Sequence, residues 1–118
     1  MSVADGLAAG LAAALGRAPF KLSELISVRT LTGADTLTAQ ARNVQKLDPG
    51  GASRDVTVPA DADGLFYIFL NAADAAENLV IKDAAAATIV TIGQDEGAAV
   101  YCEGGTWYLL CVVNIELS

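Results

Sequence analysis

At 118 residues, 53 % of them hydrophobic, the chain is long enough for one domain with its own core and too short for two ordinary ones. A formal net charge of −7 opposes nucleic-acid phosphates and anionic membrane surfaces, which excludes both as partners on charge. The lack of any histidine removes the usual general base near neutral pH, the usual catalytic-triad member and the commonest transition-metal ligand.

Alanine supplies much of the apolar fraction, and few residues are aromatic, so the volume available for a core is smaller than the composition suggests. A partner surface can supply the rest. The N-terminal "MSVADGLAAGLAAALGRAPF" has the alanine and leucine content of a signal peptide. It carries Asp5 in place of a basic n-region, and its apolar run falls far short of the ~20 residues of a membrane span, so it is expected to belong to the mature protein.

Residues 4–17 contain strong helix formers, with Leu7, Leu11 and Leu15 spaced by four and stacked along one face. A helix this short is marginal alone and is expected to order against a partner surface or to fray. "PFKLSELISVRTLTGADT" shows no sustained period and reads as an extended arm with one candidate strand, "LISVRTL". These features set an expected boundary between an arm, residues 1–36, and a β-rich domain, residues 37–118.

From Leu37 onward short strand-like pieces alternate with turn chemistry. "TLTAQARNVQKLD" runs into Pro49-Gly50-Gly51, a strong turn signal; "RDVTVP" alternates Val56 and Val58 and stops at Pro59; "DADG" leads into "LFYIFLN". "AADAAEN", read as a link or as one helical turn, precedes "LVIKD". "TIVTI", "GQDEG" and "AAVYCE" follow, and Gly104-Gly105 suits a tight hairpin before "TWYLLCVVNIEL". The predicted fold is mainly β: a small antiparallel sandwich or jelly roll with an N-terminal arm holding a short helix.

Leu65 to Leu70 offers no polar group except the Tyr67 hydroxyl, whereas a strand with one wet face alternates. Both faces are therefore expected to be covered, which makes Leu65, Phe66, Tyr67 and Phe69 candidates for a subunit interface. Trp107 and Tyr108 follow the hairpin glycines and point to opposite faces of one strand. Trp107 is expected to close the end of the core; the alternative is a stacking platform for a sugar.

Chemical motifs are sparse. "DADG" at Asp61, Asp63 and Gly64 has the start of a calcium loop without its later ligands, so a solvated turn is expected, as it is for Asp95 and Glu96 in "GQDEG". Lys21 and Ser23 form a nucleophile pair with no oxyanion-hole glycines beside it. No phosphate-binding loop, dinucleotide fingerprint or nucleophile elbow occurs, so no catalytic, cofactor-binding or metal residue is assigned. Cys102 and Cys111 lack zinc or redox spacing; hairpin pairing places Cys102 opposite a residue near Trp107, leaving Cys111 on the order of 13 Å further along at ~3.3 Å per residue. Two buried, reduced thiols are expected, with synthesis in a reducing compartment.

The stretch "LDPGGASRDVTVPADADGLFYIFLNAADAAENLVIKDAAAATIVTI", followed by "EGAAVYCEGGTWYLL", resembles in its order and spacing a module of tailed-bacteriophage structural proteins, namely head decoration (cement) proteins and head or tail fibre segments. The resemblance covers residues 46–110. It implies a non-enzymatic, homotrimeric virion protein, made in the bacterial cytoplasm, that sits on the capsid and clamps neighbouring major-capsid subunits. Under it the arm residues Leu7, Leu11, Leu15, Phe20, Leu25 and Ile26 are candidates for capsid contact. The alternative is a fibre module that binds a carbohydrate or receptor through Trp107 or Tyr108.

Overall fold

Nine strands build the fold, in a computed structural model that describes residues 25–60 and 62–116. They are β1 (Ile26–Thr30), β2 (Asp35–Thr36), β3 (Val44–Asp48), β4 (Arg54–Thr57), β5 (Phe66–Asn71), β6 (Leu79–Lys82), β7 (Thr88–Ile92), β8 (Glu96–Glu103) and β9 (Thr106–Asn114). One sheet has the order β1-β3-β5-β8-β9, the other β2-β4-β6-β7. The architecture is thus mainly β with two sheets, as the spacing of turn signals predicts.

The pairing within the sheets is mixed. For its first six strands the chain changes sheet at every turn, so that β1, β3 and β5 run parallel in one sheet while β2, β4 and β6 run parallel in the other. The expected antiparallel pairing holds where the chain turns back on itself, in β6–β7 and β8–β9, and between β5 and β8. A jelly roll is antiparallel throughout, so the winding half departs from it for a local reason. Pro49-Gly50-Gly51 is a turn as predicted, but it carries the chain from β3 to the opposite sheet. Gly50 has φ +79° with its α-carbon pressed on the Leu31 carbonyl, and Arg54 Nε donates to the Pro49 carbonyl at 2.8 Å to hold the corner.

Residues 26–36, expected as the end of an arm, are strands of the domain. β1 pairs with β3 over five residues, and Arg29 joins Asp35 of the other sheet at 2.8 Å and Gln45 Oε1 of the neighbouring β3 at 3.1 Å. Leu25 and Ile26 accordingly sit half-buried at the edge of a sheet. The link after β5 forms bends and not a helical turn.

Alternation along each strand sends Leu47, Val56, Tyr67, Phe69, Leu79, Ile81, Ile92 and Val100 into the space between the sheets, where all are fully buried. Each such side chain contributes roughly 1.5–3 kcal/mol by leaving water. Asn71 ends β5 inside this core. Its Nδ2 donates to the carbonyls of Glu77 and Ile92, both at 2.9 Å, and its Oδ1 accepts the Ala73 amide at 2.9 Å.

The corner glycines give a paired test. An added methyl at Gly51, which has φ +106° and open space around it, costs about 1–2 kcal/mol from the left-handed backbone alone. At Gly50 it would also lie 2.1 Å from the Leu31 carbonyl oxygen, so Gly50→Ala is expected to lower the denaturation midpoint well beyond Gly51→Ala. Equal losses in the two variants would remove the corner from the determinants of the fold.

Candidate functional site

The strands that carry the apolar run place it differently on the two faces of its sheet. Tyr67 and Phe69 point inward and are enclosed by the domain's own core, which leaves them no surface for a subunit contact. Phe66 and the half-buried Ile68 and Leu70 point outward, and Leu65 packs against the core margin. The partners of the outward row on β8 are Tyr101, Ala99 and Gly97, and theirs on β9 are Tyr108, Cys111 and Val113. Across these three strands the outer face carries no charge until Glu103 at its end. On the other side of the sheet, Lys46 and Asp48 of β3 make the same face polar.

The edge of the sheet is apolar too. Leu109 and Val112 of β9 lie opposite the inward-facing Val100 and Ala98, yet the second sheet ends at β7 and leaves them partly uncovered. A register shift between Ala99 and Val100 gives β9 an extra residue, Leu110, between the partners of those two. Phe66, Tyr108, Leu109, Leu110, Val112 and Val113 are all between 43 and 58 % exposed. Among the described residues no strand pairs with the outer edge of β9, so the backbone groups of alternate residues along this nine-residue hydrophobic strand face outward. Contiguous apolar surface of this kind marks an interaction site.

Trp107 lies opposite Cys102 on the inward face, stacks on Tyr67 with ring centroids 5.8 Å apart, and donates from Nε1 to the Pro59 carbonyl at 3.1 Å. It closes one end of the core, as predicted. It also lines a cleft of about 290 Å³ with Pro59, Asp83 and Thr106. Tyr108, on the other face, packs against Tyr101 at 5.8 Å.

The acidic turns are structural. Asp63 Oδ1 accepts the Gly105 amide at 2.8 Å and lies 3.7 Å from Cys102 Sγ, so it fastens the β8–β9 hairpin from outside; Asp61 is not among the described residues. Glu96 accepts the Gly93 amide at 2.6 Å and closes its own turn, with Asp95 at φ 58°. Asp48, Asp74 and Glu77, which no sequence motif joins, bring ligand oxygens within 4.8 Å of one another. Two of the three already accept backbone amides, Asp48 from Gly50 and Glu77 from Gly51. Leu7, Leu11, Leu15, Phe20, Lys21 and Ser23 lie outside the described residues.

The cysteines form no disulfide, as the hairpin register predicts: Cys102 faces Trp107 and Cys111 faces Ala99. Cys102 is buried, but Cys111 is exposed, which corrects the expectation of two buried thiols. The cause is that β9 is an edge strand whose outer face has nothing packed over it among the described residues.

Compared with known proteins, the chain matches no protein-family model, no curated protein and no solved structure.

Two phenols titrate late. Burial pushes the Tyr67 hydroxyl, which donates to the Thr38 carbonyl at 3.0 Å, above its ordinary 10.0, and a hydrogen bond to Glu103 does the same for Tyr101. The unfolded chain therefore loses these protons first, so this contribution to stability is full below pH 10 and is lost as pH rises through the raised values. Denaturant midpoints measured from pH 8 to 11 are expected to fall at the alkaline end, and to fall less steeply in Tyr67→Phe. An identical pH profile in that variant would show that Tyr67 is not the group responsible.

Proposed function

We propose that the chain is a non-enzymatic structural protein of a tailed-phage virion, a homotrimer that binds the outside of the capsid and stabilises it. The observation that carries this reading is β9: a long hydrophobic strand at the edge of a sheet, exposed on both faces and with its backbone open to another chain. Main-chain pairing at such an edge binds without bulky side chains or polar chemistry, which suits a protein with a small, alanine-rich core. The order of turn and strand motifs from residue 46 to residue 110 supplies the virion context, through its resemblance to phage decoration and fibre modules. Subunits that bind only the assembled shell shift its equilibrium toward assembly by mass action. The proposed capsid contacts are the leucines and Phe20 ahead of the domain, and the proposed subunit contact is β9.

The carbohydrate reading rests on the cleft beside Trp107. It is the weaker one, because the ring is held by Tyr67 and by the Pro59 carbonyl as part of the core wall. Trp107 emission is expected to be blue-shifted and unchanged by added oligosaccharides; a saturable change would move the function to this cleft.

Sedimentation tests the assembly. The native chain is expected at three times its 12.1 kDa mass, and Leu109→Lys with Val112→Lys is expected to give a folded monomer. Both positions are already partly in water, so the change costs the fold little and the contact much. A native chain that sediments as a monomer at every concentration, or a trimer that survives both substitutions, would overturn the reading.

A further inference from the structure

We infer that in the trimer proposed above β9 of each subunit pairs in parallel with β1 of the next, so that the five-stranded sheets of three copies join edge to edge in a closed ring. The inference rests on the trimeric reading, names the surface that β9 meets, and does not depend on the capsid.

Strand direction selects the two edges. β1, β3 and β5 run parallel, β8 reverses and β9 reverses again, so β1 and β9 point the same way at opposite edges of one sheet. Rotation about an axis along the strands preserves direction, so it brings β9 of one copy beside β1 of the next in parallel. Pairing of β9 with β9 of a second copy needs a two-fold axis instead, runs antiparallel, and stops at a dimer. Among the described residues neither β1 nor β9 has a second strand beside it. A ring of three uses both edges of every larger sheet.

The backbone and the side chains agree with that pairing. The Val44 amide donates to the Leu25 carbonyl at 3.0 Å and the Leu31 amide to the Asp48 carbonyl at 2.8 Å, so the alternate residues between, Ile26, Val28 and Thr30, turn their backbone groups away from β3. Arg42 Nη1 donates to the Ile26 carbonyl at 2.9 Å, which leaves Val28 and Thr30 for a neighbouring strand. On β9 the Ile115 amide donates to the Asp95 carbonyl at 2.8 Å, so Val112 and Asn114 are turned to the open edge. In a parallel pair a residue whose backbone faces the neighbour stands opposite one whose backbone faces away. Val112, with its side chain inward, thus meets Ser27 or Arg29, whose partners Gln45 and Leu47 are buried, and the outward Val113 meets Val28 or Thr30. Both faces of the sheet continue across the contact. An antiparallel pairing of the same two edges would set inward side chains against outward ones.

Exposure points to the same edge. Val28 is 67 % exposed, and outside β9 and Phe66 it is the only exposed large hydrophobic residue among the described ones. β2 and β7, the edges of the other sheet, expose none. β9 carries no ionised group, and Arg29 of β1 is paired with Asp35, so the contact strands no charge.

Thiols test the contact. Within one subunit β1 and β9 stand four strand spacings apart, ~19 Å at ~4.8 Å each, so a disulfide between them forms only between subunits. With the two strands centred on one another Val28 lies nearest Cys111, and Ile26 and Thr30 cover a shift in either direction. Mild oxidation of Ile26→Cys, Val28→Cys and Thr30→Cys full chains is expected to link at least one new thiol to Cys111, giving species of two and three times 12.1 kDa under denaturing, non-reducing conditions and none larger. Adding Cys111→Ser is expected to abolish the link. Amide exchange supplies a readout independent of register: over residues 26–30 it is expected to speed up at least tenfold in the Leu109→Lys, Val112→Lys variant, which changes no residue of β1, while exchange in β5 holds. A native trimer with no link at any of the three positions, with β1 exchange unchanged by the β9 substitutions, or with Cys111 linked to Cys111 of a second copy would overturn the pairing and leave the trimer standing. A native chain that is a monomer at every concentration would overturn both.

Discussion

Asn71 is the point on which the two sheets turn. It closes the central strand of one sheet, and from inside the core its side chain bonds the carbonyl of Ile92 at the end of the other sheet while fixing the link that leads to β6. Through β6, the strand that this link leads to, the chain winds, laying each new strand parallel to the one before it in the same sheet. After β6 the chain folds back, in the β6–β7 and β8–β9 hairpins. A buried amide that leaves any of three backbone groups unmet costs about 1–3 kcal/mol for each, so the last crossover of the winding, from β5 to β6, is held against the end of β7 at a defined place.

That change of direction creates the surface. Winding strands alternate between sheets and add equally to both, whereas β8 and β9 both join the larger sheet after β7 has closed the smaller one. The larger sheet thus has one strand more than the other, and β9 overhangs. Its inward side chains find no full layer beneath them, and its outward ones extend the apolar row begun by Phe66, Ile68 and Leu70. The unalternating β5 sequence and the hydrophobic β9 sequence belong to one continuous patch.

Four of the acids hold turns of the fold. Asp63, Asp83, Glu96 and Asp48 each accept backbone amides at turns. The two arginines whose partners cross the corners and sheets, Arg29 and Arg54, act in the same way. The aromatic residues divide by face. Tyr67, Phe69 and Trp107 form one inward stack, while Tyr101 and Tyr108 pair on the outer face.

The sequence by itself determined the strands, the turns and the inward alternation. Those depend on contacts between near neighbours: positive φ at Gly104 and Gly105, the stop at Pro59, the alternation of Val56 and Val58, and the hairpin that brings Cys102 across from the neighbourhood of Trp107. It also marked Leu65 to Leu70 as a strand wanting cover on both sides. Only the tertiary structure decided which turns cross between sheets, because Pro49-Gly50-Gly51 bends the chain equally well for a hairpin or for a corner, and the choice rests on the distant Leu31 carbonyl and on parallel partners many residues away. For the same reason it alone decided that residues 26–36 join the sheets, that Tyr67 and Phe69 face inward, and that Cys111 stays in reach of solvent. A residue's face follows from local alternation, but what lies over that face is set by strands remote in sequence.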